Sequence, residues 1–310
     1  IAAGAGLTLA PPDAGKTFLR QRRDFLVQQL ATLAANFAIT SNGGNDFVTD
    51  QNLVTLSGTA PIEVKTIRIN GVMCPVNWTT VTNWTLRVAL PAGVHKLSLQ
   101  GFDPSGNVLP QAASAITVTV TGTYDPPQGQ LVINEIMPRP AEPGAEFIEL
   151  LNTSAATAFD LFGYRLDGVG FAFTESTVIP PNGFVVVAKD QTAFAKTYGR
   201  AIPIVGVFDG SLDPAGEVLR LVKAGSLPAQ DETIDEVAFE NAPPWPASAE
   251  RSSASLQLID PLQDNTRVAN WAAVAASPPS PEPQWQFVSA TGPASTSQLL
   301  IYLTAPGDVH

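Results

Sequence analysis

Glu135, Glu146 and Glu149 are the residues of this chain whose type and spacing come closest to chemistry. Two carboxylates held about 5 Å apart are the working parts of a retaining glycosidase. The three lie in LVINEIM and EFIEL, runs that both read as strands. Successive side chains of a strand point to opposite faces. Glu146 and Glu149 therefore diverge unless a bulge intervenes, which leaves Glu135 to meet one of them across strands. The competing reading makes all three structural, as strand-edge ion pairs or turn hydrogen bonds.

Oxygen-rich turns are the second candidate. FDPSGNV places Asp103, Ser105 and Asn107 at alternate positions, the spacing with which a calcium loop opens. No glutamate follows at the distance such a loop needs, and Pro104 with Gly106 reads as a hairpin turn. NGGNDFVTDQN offers a similar set in Asn42, Asn45, Asp46 and Asp50. Calcium is the one ion that either stretch would suit, and no other cofactor is implied. His95, His310 and Cys74 cannot supply the three or four nitrogen and sulfur ligands of a zinc site. Nucleophilic catalysis needs a histidine base beside a serine or Cys74, and His95 sits in the strand-like VHKLSLQ. G-x-S-x-G, Walker and G-x-G-x-x-G signatures are missing, as are kinase motifs. A single cysteine forms no intrachain disulfide, and Cys74 reads as a small buried hydrophobe.

The elements that must position these groups are mostly strands. Leu19, Leu26, Leu30, Leu33 and Phe37 form one stripe at helical spacing, which predicts an amphipathic helix after Asp13. From Ala38 to Gly122 the period changes to 2. Ile67 and Ile69 oppose Arg68, and Trp84, Leu86, Val88 and Leu90 share a face. Roughly seven such runs in this stretch suit an immunoglobulin-like sandwich, without the Cys…Trp…Cys core of antibody domains. Tyr124 to Gly129 and the SPPSPEP of 277–283 read as linkers.

Composition narrows the function classes. The chain has 310 residues, enough for two or three domains. Its charge of −11 argues against sequence-independent nucleic-acid binding, which needs clustered Lys and Arg. No run of about 18 apolar residues suggests a membrane span. A surface poor in Lys and rich in Thr, Ser and Asn suits an extracellular or cell-envelope protein. Ile1 and the abrupt end at His310 suggest a piece of a longer protein.

Nine pieces between Gln130 and Trp271 then fall into a recognisable order: LVINEIMPRP, EFIELLN, DLFGYRLDG, IPPNGFVVVAKD, Phe194 with Tyr198-Gly199, VGVFDGSLDPAGEVLRLV, DEVAFENAPPWP, SLQLIDP and Asn270-Trp271. Together they resemble a lamin tail domain of the bacterial, secreted kind, which implies an immunoglobulin-like sandwich that binds or organises rather than catalyses. IRINGV, W-x-T-V-T-x-W and PAGVHKLSLQGFDPSGN, placed between a helix and that domain, are similar to the region after the kinase-like domain of the spore-coat H (CotH) family. That resemblance implies a kinase-like domain upstream.

The expectation is a mainly β chain of two tandem immunoglobulin-like β-sandwiches with one N-terminal amphipathic helix. Its parts are a helical segment over 1–37, a sandwich over 38–123, a linker at 124–129, a lamin-tail-like sandwich over 130–276, and a proline-rich linker with a partial β module over 277–310. The expected function is non-catalytic attachment to protein or polysaccharide at a cell surface, without nucleic acid and without membrane insertion. Carbohydrate binding as an accessory module is the alternative, and a paired-carboxylate hydrolase is a third. Recognition is expected in loops 139–145, 167–175 and 241–252, with Arg139, Glu142, Asp167 and Trp245 as candidate binding residues. Trp78, Trp84, Trp271 and Trp285 are the other rings available to stack on sugars or to fill cores.

Overall fold

Strand alternation builds the first core. The computed structural model describes residues 13–31, 35–202, 204–246 and 254–275. Nine strands fill the first sandwich: β1 (Ala38–Ile39), β2 (Phe47–Thr49), β3 (Leu53–Thr59), β4 (Thr66–Ile69), β5 (Val72–Cys74), β6 (Asn77–Trp78), β7 (Asn83–Ala89), β8 (Gly93–Phe102) and β9 (Val108–Val120). One sheet has the order β1-β3-β7-β6 and the other β2-β9-β8-β4-β5. Leu56, Leu86 and Val88 from the first meet Ile67, Ile69, Leu99 and Ile116 from the second. Trp84 is 1% exposed, stacks on Phe37 at 6.2 Å and donates its indole N–H to the Thr59 carbonyl. Gly58 is its cross-strand partner, and a Cβ there would stand 2.1 Å from the indole. Only glycine admits a ring lying across the strand so closely.

The second sandwich comprises β10 (Leu131–Met137), β11 (Phe147–Asn152), β12 (Phe159–Asp160), β13 (Tyr164–Asp167), β14 (Phe171–Ala172), β15 (Val178–Ile179), β16 (Phe184–Ala188), β17 (Ile204–Val207), β18 (Gly216–Lys223), β19 (Glu232–Glu240), β20 (Ala254–Leu258) and β21 (Trp271–Ala275). A six-stranded sheet, β17-β16-β11-β10-β20-β21, faces the four-stranded β14-β13-β18-β19 across a core that runs from Leu131 to Trp271. The chain is thus mainly β, with tandem immunoglobulin-like sandwiches and a helix at its N-terminal end.

One bulge shapes the larger sheet. Leu131, Ile133 and Ile136 are all fully buried, although a regular strand would turn Ile136 to the opposite face from Ile133. The register skips Asn134, so that Ile133 pairs Leu150 and Glu135 pairs Glu149. The extra residue restores Ile136 to the core and sends Glu135 outward. Asp235 of β19 supports the bulge, accepting from the Ile133 N–H and the Asn265 amide, both at 2.7 Å on one oxygen.

Burial raises Asp235 above the usual carboxylate range, against the pull of these hydrogen bonds. The folded state therefore holds its proton more tightly than the unfolded chain does. This stabilisation is complete below the unfolded pKa and disappears as pH rises through the folded one. Asp235→Asn keeps an oxygen for both donors and removes the titration. In urea melts upward from pH 4, the parent is expected to lose stability relative to this variant as pH rises. A difference independent of pH would show that Asp235 does not carry a raised pKa.

The first helix, α1, spans Asp13–Ala31. Its expected stripe is only partly realised, since Leu19 and Leu26 are exposed. Phe37 leaves the stripe altogether and joins the first β core, because stacking on Trp84 buries the whole ring. Leu33 and the side chain of Leu30 lie outside the described residues, as does everything beyond Ala275. Among the described residues, no helix is long and apolar enough to cross a membrane.

The sandwiches are joined by more than their linker. Asn52, buried just before β3, donates to the Ala158 carbonyl at 2.7 Å and accepts from the Ala158 N–H at 3.0 Å. Ser176 N–H donates to the Met73 carbonyl. Tyr124 bonds backward to the Asp50 carbonyl, while Asp125 accepts from Ser154 at 2.6 Å. The linker is therefore pinned at its start to both bodies.

Candidate functional site

Glu135 and Glu149 are brought together on the outer face of the six-stranded sheet. Register gives one row across that face as Val186, Glu149, Glu135 and Gln257, and a neighbouring row as Ala188, Phe147 and Met137. A second helix, α2 (Gln191–Tyr198), roofs part of this face. It is started by Asp190, whose side chain accepts from Ala193 N–H at 2.7 Å. Phe194 and Tyr198, four residues apart, project from one helix face onto Phe147 at 5.4 and 5.1 Å. Sequence reasoning singled out Phe194 and Tyr198 but not the helix that carries them. Its signals were an aspartate cap, an i,i+4 aromatic pair and Gly199 at the end.

Between roof and sheet lies a cavity of about 190 Å³. Met137, Phe147, Val186, Phe194 and Ile202 give it an apolar wall, and Glu135, Glu149, Tyr198, Ser255 and Gln257 bring polar atoms. Glu149 accepts from the Asn134 amide at 2.7 Å. Burial, and then the charge of Glu135, raise its pKa against that bond. Burial also pushes the Tyr198 phenol upward, and its oxygen is buried without a hydrogen-bond partner among the described residues. Glu146 points elsewhere, with its carboxylate accepting from Leu212 N–H at 2.9 Å. Of the three glutamates only Glu135 and Glu149 share a site.

A second hollow, of about 400 Å³, opens where the sandwiches meet. Thr55, Asn77, Thr85 and Arg87 line it from the first sandwich and Val178 from the second. Strand β6 pairs only with Trp84 and Thr85 of β7. Beyond Thr85, that side of β7 has no paired strand among the described residues.

The other expected residues are scattered. Trp245 is 6% exposed and packs at 5.8 Å against Trp271 within the core. The expectation of a sugar-stacking platform is corrected accordingly, because the ring has no free face to offer. Trp84 and Trp271 are buried as well, Trp78 is half-buried, and Trp285 lies outside the described residues. Glu142 is ion-paired with Lys196 of α2 at 2.8 Å. Asp167 pairs with Arg165, which also reaches Asp231. Arg139 is exposed in the loop after β10. Of the loop over 241–252, residues 247–252 lie outside the described residues.

The turn oxygens are occupied by the protein itself. Asp103 accepts from Asn107's amide, Asn107 N–H and Ser105 N–H, and these bonds hold it below the usual carboxylate range. Asp46 accepts from Thr117 N–H at 2.7 Å, and the Asn42 and Asn45 amides donate to carbonyls of their own turn. The Asp50 carbonyl takes the Tyr124 hydroxyl. Among the described residues, no three His, Cys, Asp or Glu side chains gather where they could hold a metal. Cys74 is buried, which pushes its thiol up to about 11, and His95 bonds the Pro91 carbonyl.

A model of the Lamin Tail Domain family matches residues 125–241. The matched stretch ends short of β20 and β21. No curated protein matches the chain. Among solved structures, the Bacteroides ovatus mixed-linkage glucan utilization locus protein SGBP-B, in complex with a mixed-linkage heptasaccharide, is 13% identical with a TM-score of 0.18. That alignment covers 54% of this chain and 47% of SGBP-B, so the chain spans under half of that relative. The D00-D0 domain of Intimin is 12% identical with a TM-score of 0.17, over 63% of this chain and 95% of that one. Scores this low do not establish a shared architecture.

Proposed function

We propose that the tandem sandwiches form a non-catalytic binding and spacing region of a secreted or cell-surface multidomain bacterial protein. The observation that carries this reading is the unpaired side of β7 along the junction hollow, which β12 and β15 of the second sandwich approach. Exposed N–H and C=O groups of an edge strand accept an added strand, and Arg87 offers a positive charge at the same place. Loops 139–145 and 167–175, borne on the second sandwich, supply further contacts. The order of helix, sandwich and lamin-tail-like stretch supports a place downstream of a kinase-like domain. Protein or polysaccharide on the envelope is the target.

Backbone parity allows a clean test. Leu90 N–H bonds to β3 at Asn52, whereas the Asn83 carbonyl accepts from Thr79 on the β6 side. Odd-numbered residues of β7 thus face the open edge, and Arg87→Pro removes a donor there without breaking the ladder to β3. The whole chain is run by affinity electrophoresis through plant, algal and bacterial polysaccharides, and is sedimented with bacterial envelopes before and after protease treatment. Retention in a gel or on envelopes, weakened by Arg87→Pro in a folded protein, supports attachment through this edge. Retention that ignores the variant sinks the edge. Sugar release that is lost in Glu135→Gln would instead establish the hydrolase.

A further inference from the structure

The cavity under α2 carries an inference independent of that attachment reading. Some carboxylates of the second sandwich have cationic partners, Glu142 with Lys196, Asp167 and Asp231 with Arg165, and Glu236 with Arg220, while others such as Asp235 and Glu146 are held by N–H donors. Glu135 and Glu149 are cross-strand neighbours in one cavity and form no ion pair among the described residues. No cation among the described residues is paired with this like-charged couple beside apolar walls. The same cavity holds the Tyr198 phenol oxygen, buried and without a hydrogen-bond partner among the described residues. An unmade hydrogen bond of this kind is costly and points to a missing partner.

We propose that this cavity binds a primary alkylammonium group, on a free amine or at the end of a lysine side chain. An –NH3+ group has three donors and no acceptor. Glu135, Glu149 and the Tyr198 oxygen are three acceptors. The methylene stem lies along Phe147, Phe194 and Ile202, where ring faces also favour the cation. The size agrees: about 190 Å³ is below the range of drug-sized pockets and suits one short chain. A metal ion fits the same walls poorly, since hard cations want six or more oxygen ligands.

The test titrates the whole chain, at low salt, with n-butylammonium and with Nα-acetyl-lysine methylamide, followed by ligand-observed and protein-observed NMR. Both are expected to bind and to shift resonances of Phe194 and Tyr198. The Nε-acetylated lysine derivative and tetramethylammonium, which lack the charge or the N–H donors, are expected to bind at least tenfold more weakly. Glu149→Gln preserves the acceptor for Asn134 and is expected to weaken both ligands by about tenfold or more, with Tyr198→Phe costing a few-fold. Tighter binding of the lysine derivative than of butylammonium identifies a peptide as the source of the amine. Equal affinity identifies a free amine. No binding of either probe, shifts away from Phe194 and Tyr198, or a folded Glu149→Gln with parental affinity would overturn the proposal. Envelope or polysaccharide retention is read separately, so either idea can fail alone.

Discussion

Trp245→Ala is expected to lower the stability of the second sandwich by about 3–5 kcal/mol, the usual cost of deleting a buried tryptophan side chain. The indole is almost fully enclosed and leans on Trp271, whose own N–H is bonded to the Asn265 carbonyl at 2.7 Å. Removing one ring opens a cavity beside the other, and the polar turn held by Asn265 loses its backing. Asn265 also donates to Asp235 beneath the bulge, so the damage reaches the strand that aims Glu135. Chemical denaturation followed by tryptophan fluorescence should show an earlier midpoint with little change in slope. Loss of ligand retention in this variant would then report unfolding. An unchanged midpoint would mean that the ring is not a core residue, and would return Trp245 to the binding surface.

The contrast between this residue and its neighbours shows what could be read from the sequence. Ile67 against Ile69 and the run from Trp84 to Leu90 were legible, because a two-residue period needs only local information. Both isoleucines are buried in the core of the first sandwich. Trp245 was not legible, because a tryptophan in a proline-rich turn looks the same whether it caps a core or faces solvent. The Glu135–Glu149 pairing was half legible: strand parity separated Glu146 from Glu149, but the partner of Glu135 depended on an unpaired Asn134. That bulge is set by burial of Ile133 and Ile136 from the opposite sheet, which no short window contains. Phe37 continued the helical stripe in sequence and left it in structure, because the Trp84 ring offered a better burial site. The eight-residue α2 was masked by the strands around it. Least legible of all was the pairing of Asn52 with Ala158, two residues 106 positions apart.

That pairing leads to the second large effect. Asn52→Ala is expected to destabilise the junction by about 1–3 kcal/mol, because the Ala158 N–H and C=O are left buried without partners. The backbone bond from Leu90 to Asn52 survives the change, so the fold of the first sandwich is spared. Calorimetry of the parent should show both sandwiches melting in one cooperative transition, since the buried amide, the Ser176–Met73 bond and the pinned linker couple them. In the variant the transition should broaden or separate into two. Asn52→Asp gives a sharper comparison. Its carboxylate still accepts from the Ala158 N–H but has no hydrogen for the carbonyl, and it places a charge in a buried site. It should therefore be at least as damaging as alanine at neutral pH and should recover as the acid protonates. Two separate transitions already present in the parent would show that the junction does not bind the sandwiches into one unit. The edge of β7, which borders the hollow between them, would then lose the fixed wall on which strand addition depends.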